Sequence, residues 1–68
     1  MRHYVVGAGT EIGNACAYYG HMVPAGRWAV VRNGEYCNGG RGPIVAAPLC
    51  KTEDAAEAMA EKMNEESK

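Results

Sequence analysis

Sixty-eight residues with a formal net charge of −1 make one small domain and give no bulk attraction to nucleic acid or to an anionic membrane. Forty-seven per cent of the residues are hydrophobic, which suits a folded domain and excludes disorder. Phe is absent and Trp28 is the only tryptophan, so the core is thin, and assembly into a homo-oligomer, a dimer or larger, is expected to thicken it.

The run "RHYVV" over 2–6 is rich in β-formers and closed by Gly7, and it predicts a strand. In "TEIGNACAYYG", Ile12, Ala15, Cys16 and Tyr19 fall at helical spacing, with Thr10 as a cap, and predict a short helix over 11–19. Gly13 opposes that helix, and Tyr18-Tyr19 suits a strand as well. "HMVPAG" is a loop punctuated by Pro24 and Gly26.

"RWAVVRNGEYC" predicts a hairpin over 27–38, its strands at 27–32 and 35–38. Asn33-Gly34 would turn it, because a type I′ turn needs two positive φ angles that Asn and Gly tolerate. "NGGRG" over 38–42 is a flexible loop, and "PIVAAPL" predicts a strand over 43–49, at an edge or ended by Pro48. "KTEDAAEAMAEKMNEESK" predicts a helix over 52–66, with Thr52 as N-cap and Glu53 and Asp54 at the positive end of its dipole. Ala55, Ala56, Met59, Ala60 and Met63 share one arc, with Glu57, Glu61 and Glu65 opposite. The expected fold is α+β: a small, mainly antiparallel sheet covered by the C-terminal helix.

Charge is uneven along the chain. Residues 1–50 hold four Arg against Glu11 and Glu35, a balance of +2, and residues 51–68 hold three Lys against six acids, a balance of −3. The acidic part is read as a solvated helix face. Cys16, Cys37 and Cys50 are odd in number and lack paired spacing. The N-terminus has no secretory apolar run and no stretch approaches a membrane span, so a cytosolic chain with reduced thiols is expected.

The glycines at 7, 9 and 13 follow a strand, as in a dinucleotide-binding turn, and Glu35 lies about where the ribose-binding acid would stand. A hairpin after the second strand leaves no room for the required parallel unit. A weaker site remains: Gly7 and Gly9 in one loop with Gly39, Gly40 and Arg41 in another can hold a small phosphorylated ligand through backbone N–H groups and a guanidinium. A metal set drawn from Cys16, His21, Cys37 and Cys50, with His3 in reserve, lacks any local chelate pair. A Cys16–His21 nucleophile pair has no acid to orient the imidazole, and the paired carboxylates are solvated, so no enzyme activity and no cofactor are expected. Arg27, Trp28, Arg32, Tyr36 and Arg41 gather in the hairpin region. They form a protein-binding hot spot if exposed, and Trp28 serves the core if buried. Without surplus positive charge they do not make a nucleic-acid surface.

The segment "RWAVVRNGEYC…GPIVAAPLCKTEDAAEAMAEKMN", residues 27–64, resembles the small accessory proteins of bacteriophages and prophages. The shared pattern is a hairpin with "NG", a strand of the form "PIVA", and a threonine-acid-acid-alanine helix start. Residues 1–26 and the "CNGGRG" insertion depart from it. The resemblance implies a non-catalytic role, of the kind that anti-CRISPR proteins and sequesters of nucleotide signals fill, and it carries over no catalytic residue. The leading expectation is therefore an inhibitor that occludes a host protein through Trp28, Arg32, Tyr36 and Arg41. A nucleotide or cyclic-nucleotide binder built on Gly7, Gly9, Gly39, Gly40 and Arg41 stands second, and a Cys/His metal module third.

Overall fold

A computed structural model describes residues 2–14, 17–37 and 39–66. It has five strands, β1 His3–Val6, β2 Glu11–Asn14, β3 Ala17–Met22, β4 Ala29–Glu35 and β5 Arg41–Val45, and one helix, α1 Glu53–Glu66. The fold is α+β. The strands form one sheet in the order β1-β4-β5-β2-β3. β1–β4, β4–β5 and β2–β3 are antiparallel, and β2 meets β5 in parallel at Gly13 and Ile44. Because β1 and β4 run in opposite directions, the parallel unit that a dinucleotide fold needs is absent from the described residues.

The helix expected over 11–19 is replaced by β2 and β3. The helical face there spans barely two turns, and Gly13 weakens it, whereas two ladders reward the extended form. Gly13 is buried and pairs with Ile44 in the sheet. Ala15 and Cys16, which belonged to the proposed helical face, lie outside the described residues.

Asn33-Gly34 is not a turn. Both residues lie inside β4, paired with Pro43 and Gly42, so the strand reaches Glu35. The chain reverses at 36–40 instead, where Tyr36 N–H donates to Gly40 C=O at 2.7 Å and Gly39 N–H to Tyr36 C=O at 3.0 Å. Gly39 supplies the left-handed conformation, with φ of 92°. Turning at Asn33 would leave Val31 and Arg32 facing Glu35 and Tyr36. The later turn sets Val31 against Val45 and Arg32 against Ile44 in a longer ladder. Gly34 serves as a slot: a methyl group there would lie 2.6 Å from Cδ1 of Ile44 and 2.9 Å from Nη1 of Arg32. Gly34→Ala is therefore expected to destabilise by about 1–3 kcal/mol. Adding Ile44→Val removes the clashing carbon, so in urea unfolding the double variant should lose less than the sum of the two. A glycine needed only for its turn would show no such relief.

The strand expected over 43–49 is shorter and shifted, β5 running from Arg41 to Val45. It is a central strand, and Pro43 fits there for a register reason. Tyr36 bonds Gly40 and Ala46 bonds Val30, so by alternation Asn33 and Pro43 form a non-bonded pair and β4 asks no donor of the proline. Beyond β5, Ala46 N–H donates to Val30 C=O, and Cys50 pairs with Trp28 through two bonds of 2.8 and 2.9 Å. Four residues on this side match two on the other, so Pro48 and Leu49 bulge outward.

The helix begins as expected, with Ala55 N–H donating to Thr52 Oγ1 at 3.2 Å. Its inward face is turned from the expected arc. Ala56 and Ala60 are buried and Met63 half-buried, while Ala55 and Met59 are exposed. Ala56 and Ala60 let the helix approach Val30 closely, with Val5, Trp28, Ala47, Cys50 and Met63 around them. A second cluster, Ile12, Val23, Ala29 and Val31, lies on the other face with Tyr4, Val6 and Val45 against it.

Candidate functional site

The residues singled out in the sequence do not form one surface. Tyr36 is buried and folds over Gly42, its hydroxyl donating to Pro43 C=O at 2.8 Å. Trp28 is half-buried in the cluster beneath the helix, with Gly7 so near that an added methyl would lie 2.8 Å from the ring. Both aromatics thus pack within the fold. Arg32 is half-buried on the helix side of β4. Arg41 is exposed and faces Glu35 across the hairpin end at 3.7 Å, a solvated pair that contributes little.

The glycine loops lie apart. Gly7 follows Val6, which pairs with Ala29 at the start of β4, and Gly39, Gly40 and Arg41 lie beyond Glu35 at its end. At about 3.3 Å per residue the loops are roughly 20 Å apart in one chain, too far to hold one small ligand between them. The thiols are likewise separated. Cys50 sits opposite Trp28, and Cys37 follows Tyr36 at the far end of the strand. Roughly 25 Å of β4 lies between them by the same spacing, beyond disulfide or shared-ligand reach. Cys16 lies outside the described residues, and among the described ones no three His, Cys, Asp or Glu residues are grouped as a metal set.

The fold instead assembles a surface of its own on the face away from the helix. Ile12, Gly13, His21, Met22, Val45 and Leu49 line an open, mainly apolar groove of about 310 Å³. β5 supplies Val45, and the β2–β3 hairpin supplies Ile12, Gly13, His21 and Met22. The bulge after Ala46 pushes Leu49 over the groove. Met22 is 64% exposed and Leu49 40%, so each projects large apolar surface from a chain that has little. Neither residue was singled out in the sequence. Met22 read as part of a loop and Leu49 as the end of a strand. The one signal available was Pro48, a residue that ends ladders.

The two edges of the sheet differ. At β1, Asn64 of the helix reaches across to His3, accepting from its N–H at 2.6 Å and donating to its C=O at 3.1 Å. A side-chain amide thereby fills the place of a neighbouring strand. At the other edge, β3 pairs with β2 alone among the described residues. Comparisons with protein-family models, with curated proteins and with solved structures give no match. Among the described residues no helix is long and apolar enough to cross a membrane.

Proposed function

We propose that this chain is a non-catalytic binding protein, encoded by a phage or prophage, that occludes the surface of a host protein in the bacterial cytoplasm. The observation that carries the reading is the apolar groove with Met22 and Leu49 exposed at its rim. Exposed large apolar groups beside a shallow concavity are what a protein partner covers. The resemblance of residues 27–64 to phage accessory proteins supports the choice of a host protein. The contact residues are accordingly Leu49, Met22 and Val45, in place of Trp28 and Tyr36.

Leu49→Asp tests this with little risk to the fold, since the side chain is already exposed on a bulge. Immobilised wild type should capture a defined protein from a bacterial lysate, and Leu49→Asp should reduce that capture at least tenfold, about 1.4 kcal/mol, with an unchanged melting temperature. Equal capture by both would reject the groove as the contact. A rise of several degrees in melting temperature with a nucleotide or cyclic nucleotide would move the reading to a small-ligand binder.

A further inference from the structure

We infer that β3 is a self-association edge: two copies join β3 to β3 in antiparallel fashion and make one continuous ten-stranded sheet. Register gives the first reason. Val23 N–H donates to Thr10 C=O on the β2 side at 2.9 Å, so Met22, one residue earlier, turns its N–H and C=O away from β2 toward the open edge. An open edge of this kind is a template for a further strand.

Charge chooses a second copy as that strand. In a two-fold pairing each residue meets its own kind near the axis, so any charge on the strand would face a like charge. Residues 17–22, "AYYGHM", contain no Asp, Glu, Lys, Arg or Pro. They carry no charge or proline to blunt the edge, and because the register with β2 shifts between Ile12 and Asn14, the regular part of the edge is centred on His21 and Met22. The β1 edge is the opposite case, filled by Asn64 and bordered by Glu57, Glu61 and Glu65. A β1 pairing would bring these acidic rows together.

The joined sheet has a consequence for the groove. Antiparallel strands in one sheet are related by an axis perpendicular to it, so both helices lie on one side and both grooves on the other. Two copies of the groove then face the same way, and a partner with two sites is held by avidity rather than by one contact. That consequence rests on the binding reading above. The pairing itself does not.

Sedimentation at low and high micromolar concentration tests the pairing on the full chain. Wild type should be a dimer at the higher concentration. Met22→Pro removes the outward donor without taking a bond from the β2 ladder, and it should leave a folded monomer. Leu49→Asp should stay dimeric, which separates this result from the capture experiment. A wild type that is monomeric throughout overturns the inference, as does a dimer broken by Leu49→Asp and kept by Met22→Pro. Amide hydrogen exchange on the wild type guards against a misfolded proline variant. The Met22 amide should become at least tenfold better protected as concentration rises, while the His3 amide, held by Asn64, should not change. Equal Met22 exchange at both concentrations rejects the pairing.

Discussion

Trp28→Ala is expected to lower the melting temperature by about 10–20 °C, read by circular dichroism. Truncating a well-packed Trp costs about 3–5 kcal/mol, and the half-exposure of this one reduces that to roughly 2–3 kcal/mol by the burial argument. A domain of this length has only about 3–10 kcal/mol in total, and each kcal/mol moves its midpoint by about 4–8 °C. The ring matters because of what meets there. It fills the space between the helix cluster of Val30, Ala56 and Ala60 and the chain leaving β1 at Gly7. Its backbone also closes the ladder with Cys50. Gly7→Ala alone should destabilise through the 2.8 Å approach to the ring, and in the Trp28→Ala background most of that penalty should vanish. A Trp that served only as a contact residue would behave otherwise: the melting point would hold and partner capture would fall.

The parts of this fold that were legible in the sequence are those set by local chemistry. Thr52 followed by two acids begins α1 where the capping rule places it, and the β-rich run after Arg2 forms β1. The α+β class followed from those elements. Illegible were the choices made by distant partners. Asn33-Gly34 satisfies every local requirement of a type I′ turn, yet Gly34 sits in a strand because Ile44 and Arg32 need its empty position. The glycine pattern had two physical causes, and only the ladder with β5 selects one. For residues 11–14, Ile12 is buried equally well by a helix or a strand, and the pairing with β3 and β5 decides.

The candidate site was hidden for the same reason. Leu49 is exposed because the register between Ala46 and Cys50 gains two residues over that between Val30 and Trp28. No property of Leu49 itself announces that offset. The aromatic and arginine cluster misled by composition: Tyr36 has the chemistry of a hot spot, but Gly42 gives it a place to lie flat and Pro43 a carbonyl to bond. Exposure is a property of the assembled sheet, and residue type alone does not carry it.

Asn64→Ala should both destabilise the domain and change how it assembles. The substitution removes the two bonds to the His3 backbone and the 3.2 Å contact with the His3 ring. Two partly buried bonds contribute about 1–3 kcal/mol together, so the melting temperature should fall by roughly 5–20 °C. Asn64→Asp should fall between the two, because it can accept from the His3 N–H but repels the His3 C=O. It also adds an acid to a helix end with no basic residue in its last turn. The change in assembly follows from alternation. Tyr4 and Val6 face β4, so His3 and Val5 turn their backbone groups to the edge, and only the Asn64 amide fills the place at His3. With that amide gone, and at an ionic strength of about 0.5 M that screens Glu57, Glu61 and Glu65, β1 becomes a second open edge. A copy joined through β3 on one side can then add a neighbour through β1 on the other, and such a chain has no closing contact. Light scattering of Asn64→Ala should therefore rise continuously with concentration, where wild type levels off at a dimer. Combining Asn64→Ala with Met22→Pro leaves one open edge and should stop growth at two copies. If Asn64→Ala is destabilised yet no larger than wild type at any concentration, the amide acts on stability alone and the helix itself shields the edge.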